Sequence, residues 1–386
     1  MTSGPLGFGA FLSPIHPLGE DPTLQLERDI QLIELLDELN YDEFWVGEHH
    51  SNGWSTIDSP EVVIAAAAQR TRRIKLASGV VSLPYHHPFM VAARARQLDH
   101  LTRGRFVLGV GAGSVPADAH FLGIDPGETR PITAEALPAV LSLLNGERIS
   151  RKTEWFVLQD AALQLPPYKP DSLEVAISSA ATPTSMRLAG QYGLSTMSFG
   201  APRPGTKPVD LRRQWQYCEE SAAEHGQQVS RRNWRITLGI HVAETREQAF
   251  ADVREGFDRW MFDYWGGAVG LDVSIPGVKR EDSARASMDM GSAIIGSVDD
   301  CVAALEHLSD ETGGFGTFLS FCHDWASWDA TRRSYDLLAR YVAPHFTNTT
   351  AAPLAAETWI KDNRHLFAHS RAAMAQSCLP HEVKAS

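Results

Sequence analysis

Cysteine is scarce in this chain: Cys218, Cys301, Cys322 and Cys378 are the only four, and no two form a C-x-x-C pair. That spacing excludes a zinc knuckle, an iron–sulfur cluster and a secreted disulfide framework. No apolar run approaches the ~18 residues that a bilayer span needs. No Lys or Arg precedes Arg28, so the start lacks the basic region of a secretory signal and a cytoplasmic location is expected. Basic charge is short overall, 35 Lys+Arg against 47 Asp+Glu for a net charge of −12, which gives no electrostatic reason to hold phosphate backbones or anionic lipid. Neither nucleic acid nor a membrane is expected as a partner. G-x-x-x-x-G-K-[ST], G-x-S-x-G and H-E-x-x-H are also missing, which leaves nucleotide hydrolysis, α/β-hydrolase chemistry and zincin-type catalysis without support.

What the chain does have is a repeated rhythm, a short apolar strand followed by an amphipathic helix. Strands are predicted at 6–12, 43–46, 74–83, 105–110, 173–178, 194–199, 235–242 and 317–321, with a polar hairpin around 155–165. Helices are predicted between them, one opened by Asp21-Pro22 and one by Ser59-Pro60-Glu61, where proline suits the first helical turn. Eight such units fit a closed (β/α)8 TIM barrel with insertions better than an open doubly wound sheet. The predicted organisation is a single barrel domain over 1–346 and a C-terminal extension over 347–386. The stretch 265–293 has no clear period, and a loop of that length inside a compact barrel is expected to be a functional lid.

In such barrels the chemistry sits on loops leaving the C-terminal ends of the strands. Those loops carry Gly47-Glu48-His49-His50, Leu83-Pro84-Tyr85-His86-His87-Pro88 and Cys322-His323-Asp324-Trp325. Adjacent residues leaving a strand point in opposite directions, so a His-His doublet normally offers one ligand, and no metal site is expected. His49 is the candidate for catalysis or cofactor contact; loop packing through a carbonyl hydrogen bond is the competing role for all five histidines. Gly109-Val110-Gly111-Ala112-Gly113-Ser114 is a poor dinucleotide fingerprint. Its glycines either let backbone approach a flat ring closely or only shape a turn. Ser178, Thr182, Thr184 and Ser185 lie where a strand meets a helix N-terminus, which suits either a phosphate or ordinary capping.

Taken together, Phe44-Trp45-Val46-Gly47-Glu48-His49-His50, the run Ser82 to Pro88, Gln97-Leu98-Asp99-His100, Thr102-Arg103-Gly104-Arg105 and Gly313-Gly314-Phe315-Gly316-Thr317-Phe318-Leu319 resemble the bacterial luciferase-like flavin-dependent monooxygenases, most closely the limonene monooxygenase type. The resemblance implies an enzyme that uses reduced FMN and O2, fed by a separate NAD(P)H-dependent flavin reductase, and a homodimer. It implies that His49 matches the histidine steering the oxygen chemistry, that the Gly79-Val80 bond matches a non-prolyl cis peptide beneath the flavin ring, and that Thr182, Thr184 and Ser185 match the phosphate loop. Where luciferases carry a reactive cysteine followed by a phosphate-binding arginine, this chain has Gly111 and Ala112, so light emission is not expected. Other readings on the same fold are a deazaflavin-dependent oxidoreductase and a non-catalytic flavin-binding protein.

For the substrate, Phe11, Trp54, Tyr85, Phe199, Phe321, His323 and Trp325 sit in mouth segments with few fixed charges. A broad apolar pocket is expected, with no clamp for an anion such as a sulfonate. Each buried CH2 contributes roughly 0.8 kcal/mol, enough for a ten-carbon terpene or ring ketone to bind through area alone. The resemblance points to epoxidation of an alkene, with Baeyer–Villiger oxidation of a ketone as the alternative.

Overall fold

The computed structural model describes residues 4–170, 172–180, 182–201 and 209–377. The strands in chain order are β1 (Gly7–Leu12), β2 (Glu43–Val46), β3 (Lys75–Ser78), β4 (Val81–Ser82), β5 (Phe106–Gly111), β6 (Ile149–Lys152), β7 (Val157–Ala161), β8 (Glu174–Ser179), β9 (Ser195–Phe199), β10 (Trp234–Val242), β11 (Ala293–Gly296) and β12 (Thr317–Cys322). Eight parallel strands close into a (β/α)8 barrel in the order β1-β2-β3-β5-β8-β9-β10-β12. The ring shuts where β12 pairs with β1, from Gly7↔Thr317 to Leu12↔Cys322.

The outer layer begins with α1 (Pro22–Glu38), α2 (Pro60–Arg70) and α3 (Pro88–Leu101), each opened by a proline; Asp21 also caps α1 by accepting from the amides of Thr23 and Leu24. Then come α4 (Pro116–Phe121), α5 (Thr129–Leu144), α6 (Pro183–Tyr192), α7 (Leu211–Glu224), α8 (Arg246–Asp258), α9 (Ser283–Asp289), α10 (Val298–Thr312), α11 (Trp328–Leu337) and α12 (Ala343–Thr347). Period-2 alternation sends every second strand residue inward. At the N-terminal end, Arg235 bridges Glu43 at 2.7 Å and Glu174 at 2.5 Å. Burial opposes ionisation of Glu174, but Arg235 outweighs it and pulls the pKa down to about 2. A middle layer of Trp45, Ala77, Val107, Ala176, Met197 and Leu319 fills the barrel, and Phe11, Val80, Phe199 and Phe321 pack on it.

Several expectations need correction. The predicted strand 74–83 is two pieces, β3 and β4, separated at Gly79-Val80; β4 continues along β5 through Val81↔Val110. The hairpin is β6 with β7, antiparallel and starting before the predicted bounds. The aperiodic stretch 265–293 is not a bare loop. After α8 the chain continues as a π-helix, Arg259–Ala268, and later forms α9 and leads into β11, which extends the upper half of β10 through Gly239↔Ala293 to Val242↔Gly296. Phe257, Met261, Val273, Ala284, Ile295 and Trp325 bury one another there in a small second core. The 3.6-residue pattern missed this because the π turn shifts the apolar phase and α9 is too short to show one. Beyond α12, α13 (Ala351–Asp362) and α14 (Ala368–Ser377) are helical, and α13 buries no residue.

Candidate active site

The barrel mouth is floored by three phenylalanines. Phe11 meets Phe199 edge-on at 5.5 Å and Phe321 at 5.1 Å. Beside them the Gly79-Val80 peptide bond is cis. Gly111, the last residue of β5, lies so close to this turn that a Cβ there would sit 2.6 Å from Val80 Cγ2 and 2.9 Å from Ser178 Oγ. Only glycine leaves that space open. Gly79, Val80, Gly111 and Ser178 thus come together from three strands at one rim.

Two carboxylates that sequence reasoning did not single out organise the histidines. Asp118, on α4, accepts from His49 Nδ1 at 3.0 Å, from the Ser51 hydroxyl and from the His50 amide at 3.1 Å. Burial works against its charge, yet the hydrogen bonds from His49 and Ser51 outweigh it and lower the pKa. Glu48 accepts from His50 Nε2 at 2.8 Å, His86 Nε2 at 2.7 Å and the Ser82 amide at 2.6 Å. Burial again opposes and the two histidines prevail, so its pKa falls, while the Glu48 hydrogen bond raises that of His50. His50 and His86 are therefore tied to a carboxylate, and His87 is exposed and caps α3 by accepting from the Phe89 amide. His49 is held at Nδ1 by a carboxylate on α4, which leaves Nε2 as the nitrogen available to a ligand, whereas His50 meets Glu48 at Nε2 and Asp58 at Nδ1, 3.5 Å away. The signal for Asp118 is faint: an acid two residues after Pro116, following a glycine-rich strand end.

Tyr85 lies edge-on to His50 at 5.9 Å, its hydroxyl pushed up to about 12, chiefly by burial. Thr182 stands at the N-cap of α6 with no side-chain cap hydrogen bond; Thr184 is exposed and Ser185 half-buried on the first turn. The remaining lining candidates are held in aromatic contacts. Trp54 is buried against Tyr264 at 5.7 Å. His323 is sandwiched between Phe321 at 4.1 Å and Trp325 at 4.3 Å, nearly parallel to the latter. Burial, with nothing opposing it, drives the His323 pKa well down, so the ring is neutral.

These residues fit a flavin: an open cradle at Gly111, an apolar floor for a flat ring, and a hydroxyl-bearing helix N-terminus for a phosphate. Among the described residues no group of three His, Cys, Asp or Glu is placed to hold a metal ion, and no helix is long and apolar enough to cross a membrane.

Comparison with known proteins agrees with this architecture. The luciferase-like monooxygenase family profile matches residues 7–314. The 4-hydroxyprotoasukamycin monooxygenase of Streptomyces nodosus subsp. asukaensis is 53% identical over 92% of this chain and 96% of its own length. The limonene 1,2-monooxygenase of Rhodococcus erythropolis is 44% identical over 89% and 87%. The FMN-bound oxygenating constituent of 3,6-diketocamphane monooxygenase from Pseudomonas putida, a type II Baeyer–Villiger enzyme, superposes with a TM-score of 0.73 at 24% identity, over 88% of this chain and 98% of that one. A profile match over most of the chain, with two relatives above 40% identity, leaves one conclusion: the chain belongs to the luciferase-like monooxygenase family and is a flavin-dependent monooxygenase.

Proposed function

We propose that this protein takes reduced FMN from a separate NAD(P)H-dependent reductase and places one atom of O2 into a neutral, largely apolar ring compound, a cyclic terpene or ring ketone. The observation that carries this reading is the open cradle at Gly111 beside the phenylalanine floor and the uncapped end of α6. Bound there, reduced flavin would supply the electrons that activate O2. Thr182, Thr184, Ser185 and the α6 amides would hold the phosphate, replacing the arginine that Ala112 does not provide. Gly79, Val80, Gly111 and Ser178 would carry the ring. His49 holds or moves a proton at Nε2, since Asp118 fixes Nδ1. Phe11, Trp54, Tyr85, Phe199, His323 and Trp325 exclude water and receive the substrate. The segment 265–293 closes over the mouth, and the working unit is a homodimer.

The names of the relatives support the substrate class, since limonene is a cyclic alkene and a diketocamphane is a ring ketone. The test is a titration by visible absorption with FMN and with coenzyme F420, followed by oxygen incorporation into limonene with FMN, NADH and a generic flavin reductase. Tight binding of FMN and an oxygenated product are expected. Binding of F420 alone, or turnover of small anions and not of neutral rings, overturns the reading.

A further inference from the structure

His16 is buried where loops from the C-terminal ends of three strands meet, and it is bonded to each of them. Its ring lies 3.0 Å from Asp29 of α1 at Nε2 and 3.0 Å from Asp324, in the loop after β12, at Nδ1. Its own segment, the loop after β1, pairs with the loop after β2. The His16 amide donates to the Trp54 carbonyl at 2.8 Å, the Thr56 amide donates to the Pro14 carbonyl at 3.1 Å, and Ile15 bridges Ser55. Asp324 stands in the chain between His323 and Trp325, whose rings stack at 4.3 Å. Trp325 in turn fills the space over Gly239, where a Cβ would sit 2.4 Å from it. One imidazole thus ties together the segments that carry Trp54, His323 and Trp325, three of the side chains proposed above to receive substrate.

A neutral imidazole has one N–H, so it can donate to one carboxylate and must turn a lone pair toward the other. Holding both partners takes one proton more. Burial opposes that proton, but the hydrogen bonds to Asp29 and Asp324 outweigh it and raise the pKa of His16 to about 9. Burial raises the pKa of Asp29 as well, so the two groups take up and release the proton as a pair. The other groups around the ring keep their charge state in this range. Arg28, 3.2 Å from Asp324 and 3.1 Å from Glu20, stays protonated. Cys322 and Tyr335 line the same cleft, and burial pushes the thiol up to about 12 and the phenol well above its ordinary range.

We propose that His16 is a positioning residue for the oxygenation: by bonding Asp29 and Asp324 at once it fixes the segments of Trp54, His323 and Trp325, and with them the substrate pocket. This rests on the reading of those three side chains as pocket lining and adds to it a pH dependence of substrate affinity. When the proton leaves, a lone pair on His16 faces a carboxylate. Asp324 yields first, since its side chain is 30% exposed and can turn to Arg28 and water, whereas that of Asp29 is 5% exposed.

Limonene has no titrating group, which makes it the probe. With FMN, NADH and a generic flavin reductase, its KM should rise about threefold to tenfold between about pH 7 and pH 10, the range of one hydrogen bond, without a matching fall in kcat. His16→Asn should show the raised KM already at neutral pH and no further rise. Asp324→Asn can accept from the protonated ring or donate to the neutral one, so its KM should stay flat across the window. Amide exchange at 54–56 and 323–327, corrected for intrinsic rates, should quicken over the same window in the unaltered protein and be fast throughout in His16→Asn. A flat KM in the unaltered protein, an equal rise in either variant, or a change that only follows kcat overturns the proposal, as does exchange that ignores His16. Should His16→Asn fail to fold, the contrast with Asp324→Asn decides. No oxidation of limonene, with exchange still following His16, keeps the positioning of these segments and removes the function proposed above.

Discussion

Asp118 holds Nδ1 of His49, and in the role proposed for His49 this makes the pair a unit. His49→Ala should lower product formation by about 100-fold or more, the usual scale of a lost acid or base, while oxygen uptake continues and ends as peroxide. Asp118→Asn should lose a part of that, and the double variant should be no worse than His49→Ala. Full coupled turnover in His49→Ala removes the role. A second histidine matters for stability. His16 is buried between Asp29 and Asp324, 3.0 Å from each, with Arg28 also on Asp324. Burial opposes its charge, but the two carboxylates outweigh it and raise its pKa from 6.5 to about 9. The protonated ring therefore favours the fold; its contribution is complete below about 6.5 and is lost as pH rises through about 9. Urea midpoints should fall across that window in the native protein and stay flatter in His16→Asn. Parallel pH curves for the two proteins would show that His16 is not the group responsible.

Among the elements, the one between α8 and β11 is the proposed lid. Lys279 is exposed and Arg280 is paired with Asp258 across the turn, so trypsin should cut at 279–280, and reduced FMN with substrate should slow the cut several-fold. Cleavage indifferent to both ligands would mean that the segment does not close. Its strand β11 also marks where sequence reasoning stops. The eight barrel strands are legible as short apolar runs, β3 only as one run merged with β4, whereas Ala293–Gly296 is four residues whose pairing depends on the far half of β10. The site divides in the same way. His49, Gly79, Gly111 and the hydroxyls before α6 announce themselves by their place after strands. Asp118 and Glu48 gain meaning only when folding brings imidazoles to them, 69 and 38 residues away for His49 and His86. At the opposite end of the barrel, Arg235→Met would leave the buried Glu43 without a cation and Glu174 with only the more exposed Lys75 at 3.2 Å, and should cost about 3–5 kcal/mol in urea unfolding, with FMN affinity unchanged in the folded fraction.

For the whole molecule, the boundary between barrel and extension is a prediction of its own. Phe346 packs on Phe8 at 6.0 Å and its carbonyl accepts from the Leu6 amide, whereas Leu354, Trp359, Leu366 and Met374 beyond it are exposed. A chain ending at 348 should keep its melting temperature within a few degrees, and one ending at 340 should lose far more; equal losses would place the extension inside the folding unit. The seam between β1 and β12 has a further consequence, for the life of the chain on the ribosome. Gly7 is made long before its partner Thr317, and until β12 emerges β1 waits with one edge bare. Growth rate, crowding and holdase supply should then govern the yield of this protein more than its final stability does, because the exposure ends only when the last strand emerges.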